Sequence, residues 1–142
     1  MHLAIEQARA AAVRGEVPIG ALVVLNDRIL AAAGNRTIID CDPTAHAEVL
    51  ALRAAAQEFG NYRLSGAALY VTVEPCAMCA GALVQSRIAR LIYGADDAKG
   101  GAIRTCMKVL DAPALNHRVE ITAGILAEES VELLQSFFAA RR

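Results

Sequence analysis

Two short segments constrain this chain more than anything else in it: His46-Ala47-Glu48 and, well downstream, Pro75-Cys76-Ala77-Met78-Cys79. Between them they hold one imidazole, one carboxylate and two thiols, and a fold that uses them must bring the two segments to one place. Three soft or borderline donors beside a carboxylate suit a zinc ion that activates water with a base at hand. Cys76 and Cys79 are spaced to share a helix face, and Pro75 suits a first turn, where its missing N–H has no partner to lose. The positive end of that helix favours thiolates. Glu48, two residues after His46, cannot lie on the same helix face, so its carboxylate approaches from another side without being a ligand. Two thiolates and one imidazole leave a tetrahedral zinc one open position, as in a catalytic site. A structural site needs a fourth ligand, for which Cys41, Cys106, His2 and His117 are candidates, and spacing selects none of them. Taken alone, the C-x-x-C reads as well as a redox pair or half of a structural zinc site as it does as half of a catalytic one.

The rest of the chain reads as one domain, 1–142, because no repeat, low-complexity run or Pro/Gly-rich linker divides it. Four cysteines, two of them isolated, make no disulfide framework and fit a reducing, cytoplasmic setting. Charged residues interrupt the first helix at Glu6, Arg9 and Arg14, so it lacks the apolar run of a signal peptide or membrane span. The 14 Lys and Arg nearly balance the 15 Asp and Glu, so any RNA binding must use a local patch rather than a global positive field. A hydrophobic content of 56% hints at apolar surface covered by a second subunit.

Periodicity predicts a helix over Leu3–Arg14, with Gly15 as its stop, then strands Ile19–Leu25 and Arg28–Ala33. Asn26 and Asp27 tolerate positive φ and suit a two-residue hairpin between them. A polar stretch leads to a helix from Ala45 to Phe59 with His46 and Glu48 in its first turn. The strand Ala67–Val73, a helix opening at Pro75 and the strand Ala89–Tyr93 read as β-α-β. A short helix is expected near Cys106–Leu110, a last strand or extended connection over His117–Thr122, and a closing helix over Ile125–Arg142 with Leu126, Leu133, Leu134, Phe137 and Phe138 near one face. Helices alternating with strands predict an α/β fold: a three-layer α/β/α sandwich around a mixed sheet.

The combined H-x-E and P-C-x-x-C pattern is the signature of the zinc-dependent nucleobase deaminases. Several further segments resemble the bacterial tRNA-specific adenosine deaminases of the cytidine deaminase superfamily, in the same order along nearly the whole chain. They are Gly15–Gly20, Asp42–Glu48, Asn61–Leu64, Leu69–Ala82, Ser86–Ile88, Asp97–Lys99 and Asn116–Glu120. The resemblance implies a five-stranded mixed sheet, one zinc ion per subunit on His46, Cys76 and Cys79, and Glu48 as proton shuttle. It implies a homodimer that converts adenosine to inosine at the wobble position of a tRNA anticodon loop, with substrate contacts from Asn35, Ala47, Asp97, Lys99, Asn116, His117 and Phe138. Lys99, Arg104, Arg141 and Arg142 are candidates for cations along the RNA backbone. Gly100-Gly101-Ala102-Ile103-Arg104-Thr105 departs from the small-residue pattern of that family's loop. A deaminase of a free base, of guanine or cytosine type, would use the same zinc chemistry in a closed pocket. A non-catalytic, zinc-stabilised RNA-binding subunit is the reading from another class, and the unpaired Glu48 argues against it.

Overall fold

A computed structural model describes residues 1–142. Helix α1 (His2–Val13) is followed by β1 (Gly20–Leu25) and β2 (Arg28–Gly34). Asn26 and Asp27 take φ of 50° and 61°, the left-handed pair that a two-residue turn requires to match strand twist. Then come α2 (Ala47–Phe59), β3 (Ala68–Val73), α3 (Ala77–Gln85), β4 (Arg90–Ala95), a single 3₁₀ turn (Val109–Asp111), β5 (Glu120–Thr122) and α4 (Ala127–Ala139). The sheet order is β2-β1-β3-β4-β5, antiparallel on the β1 side and parallel across β3-β4-β5. This is the expected mixed five-stranded sheet. No helix is long and apolar enough to cross a membrane.

Alternating residues of the strands face two helical layers. Ala21 and Val23 of β1, Leu69 and Val71 of β3, and Leu91 and Tyr93 of β4 join Ala47, Ala51, Leu52 and Ala55 of α2 and Ala80, Leu83 and Val84 of α3 in one buried cluster. The opposite face takes α1 and α4, which touch each other and the central strands. Helix α1 lies so close to β1 that a Cβ on Gly20 would collide with the backbone of Ala4 and Ala8. Only glycine allows that approach.

Some boundaries differ from expectation for local reasons. His46 and Cys76 have extended backbones (φ −73°, ψ 149° and φ −73°, ψ 176°), so each is the N-cap of its helix and the first turns begin at Ala47 and Ala77. Pro75 therefore precedes α3 rather than opening it. The helix expected near Cys106–Leu110 is reduced to the turn at Val109–Asp111, because the Cys106 and Met107 N–H groups both turn back to the Gly101 carbonyl and that of Val109 to the Ala102 carbonyl. Helix α4 is shorter at both ends than Ile125–Arg142, and its N-cap, Leu126, is left-handed at φ 54°.

Candidate metal centre and base

The N-termini of α2 and α3 converge at the C-terminal ends of the parallel strands, where open α/β sheets usually place their ligands. His46 and Cys76, freed from helical geometry at the caps, turn toward Cys79 in the first turn of α3. His46 Nδ1 lies 3.5 Å from Cys79 Sγ and 3.7 Å from Cys76 Sγ. Donor atoms of these three residues all fall within 4.8 Å of one another, and they form the one group of three or more His, Cys, Asp or Glu side chains placed to hold a metal ion. Cys41, Cys106, His2 and His117 stand outside it. His117 Nε2 instead lies 2.7 Å from the Ile88 carbonyl, and the Cys106 thiol faces the Ala98 carbonyl at 3.2 Å. The donor set is thus three-membered.

The protons on these groups are displaced in ways that suit a cation. A hydrogen bond from the Cys79 thiol, with the His46 ring beside it, lowers the Cys76 thiol to about 3. Cys79, as donor to that thiolate and as a buried group, is pushed up. The bond to Cys76 raises His46. A dication held among them would replace these shared protons, and two sulfurs with one imidazole fit zinc in softness and in leaving one position of a tetrahedral site open.

Glu48 lies in the first turn of α2 and is buried, with 4% of its surface exposed. Its Oε2 is the one buried side-chain nitrogen or oxygen atom in the chain without a hydrogen-bond partner. Burial raises its pKa. A carboxyl group held out of water and left half unpaired is costly to a fold, and such groups are found where chemistry uses them.

Asn35, immediately after β2, is buried and its Oδ1 accepts the Ala47 N–H at 2.8 Å, capping α2. Two residues of the expected substrate set thereby meet beside His46. Asp97 caps its own loop, its Oδ1 accepting the N–H groups of Lys99 (2.9 Å) and Gly100 (3.1 Å). The Lys99 side chain is exposed. Asn116 accepts from Arg87 at 3.0 Å, so both it and His117 have partners within the chain. Phe138 is 47% exposed and meets Phe137 edge-on at 5.4 Å between centroids. Arg104 pairs with Asp96 at 2.9 Å, and Arg141 covers the Phe137 ring and donates to the Gly15 carbonyl, so these two cations have structural partners.

Sequence reasoning passed over two carboxylates. Glu16 is fully buried and accepts the N–H groups of Ile38 (2.9 Å) and Ile39 (2.8 Å) and the Thr37 hydroxyl (3.2 Å), bracing the loop before His46. Glu74 does the same for the loop after β4. Burial works to raise the Glu74 carboxyl, but the donors from Arg104, Asp97 and Thr105 outweigh it and hold it below its usual range. Their only sequence signal is position: a carboxylate against Val17-Pro18 and another between the β3 run and Pro75.

The whole chain, residues 1–142, matches the family model of the MafB19-like deaminases. Curated proteins with the name tRNA-specific adenosine deaminase are similar along its full length: 47% identical in Agrobacterium fabrum, across 93% of that protein, and 48% identical in Haemophilus influenzae, across 83%. Among solved structures, one from a study of A-to-I editing by tRNA:A34 deaminases at the wobble position superposes with a TM-score of 0.92 at 48% identity, covering 94% of this chain and 97% of that one. A Bacillus subtilis guanine deaminase superposes less well, with a TM-score of 0.65 at 33% identity over 97% of this chain and 88% of the other.

Proposed function

This chain belongs to the family of the tRNA-specific adenosine deaminases, and from that premise we propose that it hydrolyses adenosine to inosine at the wobble position of a tRNA anticodon. The observation that carries the chemical part is the orphaned Glu48 Oε2 beside a three-donor cluster. A redox pair or a structural zinc site has no use for that atom.

In this reading His46, Cys76 and Cys79 hold one zinc ion. Held there, zinc would lower the pKa of a bound water far enough for it to serve as a nucleophile at neutral pH, and as a cation it would keep the imidazole and the two thiolates deprotonated. Glu48 takes the proton of the attacking water and delivers it to the ring nitrogen next to C6, so that the purine accepts electrons as oxygen adds at C6. A second transfer through the same carboxyl protonates the amino group, which departs as ammonia and leaves inosine. The raised pKa of Glu48 suits both halves of this cycle, since the group must give up its proton as readily as it takes one. The Asn35 amide hydrogens are positioned to bind an acceptor of the target nucleoside, and the cap to Ala47 fixes that amide relative to the metal ligand next to it.

A base stacked in a duplex cannot reach these atoms, so the substrate is an unpaired, splayed nucleotide of a loop. Asp97, Lys99, Asn116, His117 and Phe138 are assigned to contacts around it. Guanine deamination is the second reading, and the lower identity, 33% against 48%, counts against it. The test incubates zinc-loaded protein with an anticodon stem-loop carrying a wobble adenosine and, separately, with guanine, cytosine and adenosine. Inosine in the stem-loop with the free compounds unchanged is the expected result. Turnover of guanine with an intact stem-loop would sink the tRNA assignment.

We also assign the protein to the cytoplasm and to a homodimer. Helices α2 and α3 form an apolar groove lined by Val49, Leu52, Ala56 and Ala82, with Tyr62 at its rim 65% exposed, a surface suited to a second copy of the chain. Sedimentation equilibrium should return twice the chain mass. A monomer at micromolar concentration would remove the dimer.

A further inference from the structure

The Glu74 carboxylate is 3% exposed and forms no ion pair, yet it is fully satisfied, and the nearby Arg104 guanidinium pairs with Asp96 instead. Its Oε1 accepts the N–H groups of Ile103 (3.0 Å), Arg104 (2.8 Å) and Thr105 (3.1 Å), while Oε2 accepts the Asp97 N–H (3.0 Å) and the Thr105 hydroxyl (2.9 Å). All five donors come from one irregular loop, and both ends of that loop are included. Gly101 packs against the same group so closely that a Cβ there would collide with Oε2. The chain on either side of Glu74 is equally fixed: its N–H donates to the Ala95 carbonyl at 2.8 Å, and the Pro75 carbonyl accepts the Ala102 N–H at 2.8 Å. Two residues later comes the Cys76 donor.

One buried side chain therefore joins the loop that carries Asp97 and Lys99 to the segment that opens the metal centre. A neutral hydrophobic core would hold the sheet equally well, whereas an acceptor of five donors specifies the path of a loop that has no helix or strand of its own. The rest of the loop supports that path, since Arg104 is tied to Asp96 and the Thr105 hydroxyl also donates to the Asp97 carbonyl at 2.7 Å. Ala98 and Lys99 lie among the exposed residues of the loop, as do Arg104, Thr105 and Cys106.

We propose that Glu74 is a positioning residue for substrate recognition: by gathering the Asp97–Thr105 loop onto one carboxylate, it presents that loop to the RNA around the target adenosine in fixed register with the metal centre. This rests on the reading of the substrate as an RNA loop. Glu74 touches no reacting atom, so its loss weakens binding of the stem-loop more than it slows the chemical step.

The experiment compares wild type, Glu74→Gln and Gly101→Ala, the first substitution replacing one of the two acceptors and the second displacing the carboxylate without changing it. For each, zinc content, kcat and KM on the anticodon stem-loop are measured, together with stem-loop affinity by fluorescence anisotropy in a Glu48→Ala background. Both variants should retain zinc, raise KM and the dissociation constant about tenfold or more, and change kcat by less than about threefold, the pattern of lost binding common to ground and transition states. Trypsin should also cut faster after Lys99 and Arg104. The proposal is overturned if kcat falls while KM and affinity hold, or if both variants lose fold and zinc together, which would make Glu74 merely structural. Should Glu74→Gln alone fail to fold, Gly101→Ala decides. Wild type run alongside reports separately on the substrate reading: no inosine there would sink that reading whatever the variants do.

Discussion

Replacing Glu48 by Gln should lower the deamination rate by about 10²- to 10⁴-fold while zinc content stays at wild-type level, because the substitution keeps the shape of the side chain and removes only its ability to carry protons. No other group in the chain is placed to substitute for it. The remaining members of the cluster are the three candidate metal donors, and the other buried carboxylates, Glu16 and Glu74, are committed to backbone and hydroxyl donors. The same variant carries a second expectation of opposite sign. A buried carboxylate with an unpartnered oxygen is a burden on the fold, so the metal-free Glu48→Gln protein should be more stable than metal-free wild type by on the order of 1 kcal/mol, a gain of a few degrees in Tm. Activity lost and stability gained at one position is the mark of a group kept for chemistry. A Glu48→Gln enzyme with full rate would remove Glu48 from the mechanism.

Cys79→Ala should abolish activity by a different route. Cys79 is the buried member of the donor set, its Sγ 3.5 Å from His46 Nδ1, and two donors do not hold zinc against competing water and buffer. In wild type, free zinc at about a hundred times its Kd should stabilise the fold by about 2.7 kcal/mol. In Cys79→Ala that increment should vanish, and so should the rise in Tm on adding zinc. A chelator should reproduce the activity loss in wild type and added zinc should reverse it. Because zinc must displace the proton that Cys79 shares with Cys76, its apparent affinity should weaken as pH falls. Stoichiometric zinc retained by Cys79→Ala would contradict the ligand set.

The sheet and most helices were legible because their signals are local. Asn26-Asp27 fixes a hairpin through backbone preference alone, and the apolar faces of the strands and of α2 are periodic. The three residues of the metal-capable cluster were legible as types and spacings. What the sequence reading placed one or two residues off were the helix starts, and the reason is functional geometry: His46 and Cys76 act as caps with extended backbones, which lets their side chains leave the helix surface and reach a common point. Glu16 and Glu74 were illegible for another reason. Each binds loop N–H groups more than twenty positions away in sequence, a relation that neither periodicity nor local propensity encodes. The loop at Gly100–Thr105, which departs from the expected small-residue pattern, shows the same effect in reverse. Ala102 and Ile103 are buried and Arg104 is paired with Asp96, so the larger side chains are accommodated while Gly101 remains where the carboxylate demands it. The substrate contacts are the least local of all, since they belong to a surface whose partner is another molecule.

The most direct measurement is a single-turnover reaction of the zinc-loaded protein with a wobble-adenosine stem-loop in ¹⁸O-water, followed by nuclease digestion and mass spectrometry of the nucleosides. The account predicts one inosine per stem-loop, located at the wobble position, bearing one ¹⁸O at C6, with one equivalent of ammonia released. An unchanged adenosine at that position, or inosine without the label, would contradict it.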